Sequence, residues 1–554
     1  MFFFLGLLKT IIGLRCTNKI ISTQVILYLI SIPSFCNQPQ NSNDNIYRIG
    51  SITILRNEIF SENDSININW ITETTNWVHS LTNEKTISTR LLFQEGDVYN
   101  QSIIDETGRM LRAMGILGEI SIIPDTISNN IINITIITND KWTLGINTTF
   151  KRDGGITTYN IKLKEENFLG NAQSISFDHN YSSDRSKPYG IEAIFREPHL
   201  LSTWWNMILQ YKSNEYLDVK TFLLERPLFS DTITWSLGMY CDSGRNRLRI
   251  FKEGAKTQEF DLKQENQSIW YTLRPNIFNK ASVGFNYIRK RTETDSKYLK
   301  PVDNLDLANL SFNVVNRTYY TTTYIENFGR TEDISLGYRY SINFGKNFKM
   351  NNSSKADYYY QVSWQQALHT PFNWYLSYGI DISSYLINGR HTDAVLNCNL
   401  TQYLKISERN LLVLRSITML GYNWSDGSQV ILGSQTGLRG YPAYAFSGNR
   451  KLLFNIEHRF FSDLKFLIFR LGSVLFFDSG LVWNENDTFA NQRFHSSAGF
   501  GLRIENIKQS GSGILRIDFA YNFDQNRFVQ VIFSSNHLFS VIQQIQNSSS
   551  ILGF

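Results

Sequence analysis

Residues 334–344 read Ile-Ser-Leu-Gly-Tyr-Arg-Tyr-Ser-Ile-Asn-Phe. Side chains of an extended chain alternate between two faces. Ile334, Leu336, Tyr338, Tyr340, Ile342 and Phe344 therefore share one face, and Ser335, Gly337, Arg339, Ser341 and Asn343 the other. One face suits hydrocarbon and the other suits water. About eleven residues tilted by roughly 40° cross a bilayer once. The same split recurs in Leu515, Ile517, Phe519, Tyr521 and Phe523 against Arg516, Asp518, Ala520 and Asn522, and again in 498–504 and 283–287. From Lys141 to about Phe539 this alternation replaces helical spacing. The chain is therefore expected to be mainly β, an antiparallel transmembrane β-barrel. Roughly 400 residues at about 25 per strand and connection predict on the order of 16 strands, closed so that no polar backbone edge faces lipid. A large soluble sandwich would also alternate. Its core would not accept the Gly, Ser, Asn and charged residues of the second face, and Tyr and Phe near strand ends fit interfacial girdles.

Composition agrees. The 554 residues hold 38 Phe, 28 Tyr and 11 Trp but only 10 Pro, and 19% are charged, a strand-rich balance. Mean hydropathy is −0.25. Beyond residue 50 no apolar run approaches the 18 or so residues of a membrane helix, whereas barrels escape such scans because inward and outward residues cancel. The net charge of +5 is scattered in both signs and gives no support to nucleic-acid binding. Cys16 and Cys36 lie in the leader, which leaves Cys241 and Cys398 far apart. No metal spacing, disulfide framework or cofactor is implied. No phosphate-binding Gly-rich loop and no nucleophile elbow is present, so the chain is expected not to be an enzyme.

Residues 1–36 combine Lys9, Arg15 and Lys19 with two apolar stretches, as a secretory signal peptide does. An uncleaved anchor and a lipoprotein acylated at Cys36 are the weaker alternatives. Residues 37–46 form a polar linker. Residues 47–140 are expected to fold as one small α+β domain of order β-α-α-β-β. Its first helix is expected through Ile66, Trp70 and Trp77, and its second after Gly96-Asp97 through Ile103, Ile104, Met110, Leu111 and Met114. Residues 540–554 are either a short tail or a displaced last strand.

Two stretches stand out within the barrel. Residues 433–441 read Gly-Ser-Gln-Thr-Gly-Leu-Arg-Gly-Tyr, a pattern that is by itself most often a surface turn. Downstream, Leu475, Phe477, Leu481 and Trp483 take one face of a strand, so Phe476, Asp478 and Gly480 take the other and Asp478 points into the lumen. Counting from Leu452, Phe454 and Ile456, Glu457 also points inward.

Here the chain resembles a known family. Gly437-Leu438-Arg439-Gly440-Tyr441 is similar to the Val-Arg-Gly-Phe/Tyr loop motif of the bacterial surface-antigen superfamily, the outer-membrane assembly barrels of BamA and TamA type. Phe476–Gly480 resembles the partner strand motif, and Glu166–Gly170 the second-strand signature. Residues 47–140 resemble a POTRA domain. The resemblance spans about 47–539. It implies 16 strands, with a sixth extracellular loop that re-enters the lumen. Arg439 would pair with Asp478 and hold that loop, Gly440 would pass close to the wall, and Tyr441 would pack against the lumen. A guanidinium suits this role because it binds carboxylate with two parallel bonds. The resemblance also implies a weak seam between first and last strands, here about 142–150 and 528–539, with Trp142, Leu144, Ile146, Val529, Val531 and Phe533 along it. Such a seam can template an incoming strand through free N–H and C=O groups; an ordinary closed seam is the alternative. The expected function is insertion or translocation of proteins in the bacterial outer membrane, with the N-terminal domain in the periplasm. The expected partners are the bilayer, unfolded or exported polypeptides and a periplasmic or inner-membrane protein. The alternative is a dedicated passive secretion channel for one partner.

Overall fold

The computed structural model describes residues 47–59, 79–127, 130–153, 156–230, 233–275, 280–294, 304–348, 356–424, 428–506 and 514–534. The expected signal peptide and linker, the helix through Ile66, Trp70 and Trp77, residues 535–539 and the stretch 540–554 lie outside them.

The N-terminal unit contains β1 (Arg48–Asn57), α1 (Glu84–Ser88), α2 (Gln101–Ala113), β2 (Leu117–Ile127) and β3 (Ile131–Asp140). Strand β3 is central, parallel to β1 and antiparallel to β2. Its alternation turns Ile132, Ile134 and Ile136 into a core shared with Ile49, Ile87, Phe93, Ile104 and Leu111. Asn100 caps α2 by accepting the Ser102 N–H, and Gly115 at φ +78° carries the chain out of it.

The barrel strands follow. They are β4 (Leu144–Asp153), β5 (Ile156–Phe168), β6 (Gln173–Ser182), β7 (Tyr189–Glu197), β8 (Asn206–Ser213), β9 (Leu217–Arg226) and β10 (Trp235–Lys252). Next come β11 (Ala255–Leu273), β12 (Ala281–Glu293), β13 (Leu305–Thr322), β14 (Glu332–Asn347), β15 (Tyr358–Thr370), β16 (Trp374–Ile387), β17 (Arg390–Ser407) and β18 (Asn410–Tyr422). A short pair, β19 (Val430–Leu432) and β20 (Phe446–Gly448), lies in a long connection. The wall then resumes with β21 (Arg450–Phe466), β22 (Phe469–Trp483), β23 (His495–Asn506), β24 (Ile514–Asn522) and β25 (Arg527–Ser534).

Among the described residues 20 strands close into one antiparallel barrel, from β4 round to β25 and back. The expectation of 16 is corrected: connections are so short that strand and connection together take about 20 residues, not 25. Exposed apolar side chains girdle the outside, among them Leu163, Phe177, Phe285, Leu310, Ile342, Ile382, Ile456, Leu475 and Phe500. A continuous apolar belt on a closed barrel, facing away from a polar interior, belongs in a bilayer.

The opening stretch departs from simple alternation at its start. Tyr340, Ile342 and Phe344 are exposed on the outer face while Ser341 and Asn343 are buried. Ile334, however, is 5% exposed and packs with Ile325, Tyr375, Tyr403 and Phe461. The cause is Gly337, at φ +116°, where pairing with β15 ends and β14 turns. A Cβ there would lie 2.1 Å from the Asn316 carbonyl oxygen, so only glycine fits. Leu481 and Trp483, expected on the outer face of β22, are covered, Trp483 by an edge contact with Phe489.

The N-terminal unit lies across one mouth of the barrel, termed the lower mouth below. Asn83 donates to the Leu169 carbonyl (3.0 Å) and to Asn171 Oδ1 (2.9 Å) in the turn after β5. Asn167 reaches back to the Ser80 carbonyl and Thr82 Oγ1. Arg90 stands 5.5 Å over the Trp204 ring, beside His199 between β7 and β8. On the far side Arg112 pairs with Asp333 at 2.8 Å, and Arg109 lies 4.5 Å over Tyr319. These anchors sit near the second, fourth and tenth barrel strands, so the unit spans the opening.

Burial, and then the Arg90 charge, push the His199 imidazole down to about 3. With the unit undocked, His199 of the barrel would take up a proton between that value and about 6.5, so docking is full above pH 6.5 and weakens as pH falls below it. A distance between spin labels at Ser88 and Asn171 is expected to broaden between pH 7.5 and 5.5 and to stay narrow in His199→Phe.

Candidate functional site

The connection 423–449 joins the fifteenth and sixteenth strands at the upper rim and folds into the lumen. It is the eighth connection at that rim rather than the sixth, because the four additional strands precede it; five strands follow it. Leu432, Leu438 and Tyr441 pack with Leu453 of β21 into a small apolar core that seats the loop. Gly437 (φ +113°) and Gly440 (φ +80°) occupy left-handed backbone. A Cβ on Gly440 would come within 3.3 Å of the Ala520 methyl, and Asn522 Nδ2 donates to the Gly440 carbonyl at 2.8 Å. The loop is thus laid directly on the wall.

Arg439 and Asp478 are both fully buried. Arg439 Nε donates to Asp478 Oδ2 at 2.7 Å and Nη2 to Oδ1 at 2.8 Å, a bidentate pair. Nη1 donates to Glu457 Oε1 at 2.9 Å and lies 3.5 Å from Asp518 Oδ2. The guanidinium carbon sits 3.6 Å over the Phe476 ring. Every guanidinium nitrogen is engaged, which is the geometry of a clamp. Asn455 Nδ2 donates to Asp478 Oδ1 and to the Gly437 carbonyl, both at 2.7 Å. Arg459 binds Glu457 Oε2 through Nε and Nη2 at 3.0 and 2.8 Å, and Arg503 binds Asp518 Oδ1 at 2.6 Å. Tyr441 donates its hydroxyl to the Ser496 carbonyl (3.0 Å) and Asp524 (2.9 Å); burial, then Asp524, raise its ionisation above the usual range. Gly480 leaves room beside Leu432 and Leu453, where a Cβ would come within 3.2 Å of both.

Arg439, Gly440, Tyr441, Glu457, Asp478 and Gly480 therefore meet in one place. Sequence reasoning missed Asn455, Arg459, Arg503 and Asp518 as members. Asn455 and Arg459 share the face of Glu457 two residues on either side, and Asp518 was already on a polar face, so period-two counting carried the signal. Tyr444 gave none. Its ring stacks on Phe251 of β10 at 4.1 Å and its hydroxyl accepts from Arg249 at 3.0 Å, so the loop reaches a distant wall.

The barrel closes between β25 and β4. Among the described residues, which end at Ser534, β25 and β4 share one registered pair, Ile532 with Lys151, whereas the other neighbouring pairs of the wall each show seven or more. Leu144 and Ile146 stand outward on β4 and are exposed. Trp142 precedes the strand, which begins two residues later than expected: the Lys141 N–H donates to the Ile116 carbonyl of the N-terminal unit, and the Thr143 carbonyl already accepts from Glu166 of β5. On β25, Val531 and Phe533 stand opposite the outward Phe519 and Ile517. A register shift between Ala520 and Tyr521 puts Phe528 opposite Tyr521 and leaves Val529 unpaired, so Phe528 rather than Val529 takes the outward position.

Comparison with family models and with curated proteins finds no match. Among solved structures the chain is similar to CdiB from Escherichia coli (12% identity, 91% of this chain and 92% of that one, TM-score 0.43). It is similar to CdiB from Acinetobacter baumannii (13%, 88% and 74%, 0.43). It is also similar to BamA from Haemophilus ducreyi lacking POTRA domains 1-3 (14%, 89% and 84%, 0.36).

Proposed function

We propose that this chain is a bacterial outer-membrane barrel of the surface-antigen superfamily that inserts or translocates polypeptides, working by strand pairing at its seam and catalysing no covalent reaction. The observation that carries this reading is the densely bonded clamp at Arg439 in a barrel whose closing strands β25 and β4 show one registered pair among the described residues. The clamp keeps the lumen wall and its loop rigid. On this reading the seam opens and exposes N–H and C=O groups of β4, able to accept an edge strand from a client. The N-terminal unit serves as a single POTRA-like periplasmic domain, preceded in the precursor by a cleaved signal peptide, and offers polypeptides or a periplasmic partner its sheet edges. Release and folding of the client supply the free energy, with no nucleotide or cofactor.

A loop crossing the upper lumen and a domain across the lower mouth favour insertion over a passive channel. Depletion of the protein tests this. Several outer-membrane barrels should fall together, whereas loss of one exported protein with the rest intact would identify a dedicated channel and overturn the insertase reading.

A further inference from the structure

The connection between β13 and β14, residues 323–331, does not turn back at the lower rim but enters the lumen and reaches β21, β22 and β23, five to seven strands round the wall from β14. Ile325 and Phe328 are fully buried there, Phe328 edge-on to Phe461 at 5.0 Å and over Gly472, where a Cβ would lie 2.5 Å from its ring. The strap is bonded at both ends. Glu332 accepts the backbone N–H groups of Ile325, Glu326 and Asn327 at 3.0–3.2 Å. Glu505 of β23 accepts the Phe328 N–H at 2.6 Å, Arg330 donates to the Asn506 carbonyl at 2.7 Å, and Arg470 donates to the Phe328 carbonyl. Arg459, which binds Glu457 of the clamp, also reaches the Ile325 carbonyl at 3.4 Å.

The second residue after this strap is held by the N-terminal unit. Asp333 lies next to Glu332 and takes Arg112 of α2 at 2.8 Å, while Arg109 covers Tyr319 on the adjoining strand. The strap root thus sits between a domain that can undock and a strap bonded inside the lumen.

We propose that residues 323–331 form a bolt across the lower lumen, held shut by the docked N-terminal domain through Arg112 and Asp333 and withdrawn when that domain is displaced. It rests on the reading that the barrel handles polypeptides, and it adds an internal barrier whose position reports domain docking. The displacing partner is an extended polypeptide engaging the domain. The bolt is a two-state element, and loss of one docking pair shifts its population without dismantling it.

The test uses the full chain in lipid nanodiscs, with Cys241 and Cys398 replaced by Ser and a reporter Phe328→Cys, and measures its rate of reaction with a maleimide. A buried thiol reacts only from the withdrawn state, so the rate follows that state's population. Arg112→Ala removes a partly exposed pair and is expected to raise the rate about two- to fivefold. Glu505→Gln weakens a bond to a charged acceptor and is expected to raise it by more than about tenfold. Ile325→Cys provides an independent reporter should Phe328→Cys fold poorly, and Arg112→Ala is read against the same reporter in each case. An unchanged rate in Arg112→Ala on both reporters overturns the bolt. The assay contains no client, so that result would leave the depletion phenotype intact, and an absent depletion phenotype would leave this assay standing.

Discussion

Arg439→Ala is expected to destabilise the barrel by about 3–5 kcal/mol, because it strands Asp478 and one oxygen of Glu457 without a cation in a fully buried site. A buried ion pair adds little over an apolar replacement of the same shape, but removal of one partner leaves the other charge desolvated. Arg439→Lys is expected to recover only part of the loss. An ammonium cannot donate the two parallel bonds to Asp478 while also reaching Glu457 and covering the Phe476 ring. The loop would also loosen, since Arg439 lies between Gly437 and Gly440, whose carbonyls are held by Asn455 and Asn522. Thermal unfolding in detergent, followed by the heat-dependent mobility of the barrel on gels, measures this. Asp478→Asn alone should fall between the two variants, and the double variant Arg439→Leu with Asp478→Leu should be milder than Arg439→Ala.

Much of this arrangement follows from a period of two. Glu457 and Asp478 are two strands' contributions to one face, and counting from Ile456 and Phe477 suffices to turn both inward. That count fails where a single backbone angle resets it. Gly337 sends Ile334 inside, and the shift beside Tyr521 displaces Val529, and neither event leaves a mark in hydrophobic alternation. The number of strands was miscounted because connection length is set by turn geometry, which alternation does not encode. Three-residue turns such as 214–216 make room for 20 strands where longer loops would hold 16. The strap at 323–331 was invisible for a related reason: its partners, Glu505, Arg470 and Phe461, lie more than a hundred residues away.

The second large effect concerns the seam. Cysteines at 151 and 532 would replace the registered pair that the described residues show there, and facing residues on antiparallel strands stand close enough for a disulfide. With Cys241 and Cys398 replaced by Ser, oxidation would tie β4 to β25 at the proposed seam. A client cannot then insert its strand between them, although the clamp, the loop and the N-terminal domain are untouched. Activity should fall to background on oxidation and return with reductant, whereas the same bridge placed across β21 and β22, for example at Leu452 and Leu481, should leave it unchanged because that interface is already continuous.

Assembly of newly exported outer-membrane barrels in cells whose only copy is Lys151→Cys/Ile532→Cys is therefore the decisive measurement. Assembly should stop when the bridge is complete and resume within the time reductant takes to open it. Continued assembly at the wild-type rate with the bridge fully formed would contradict a laterally opening seam.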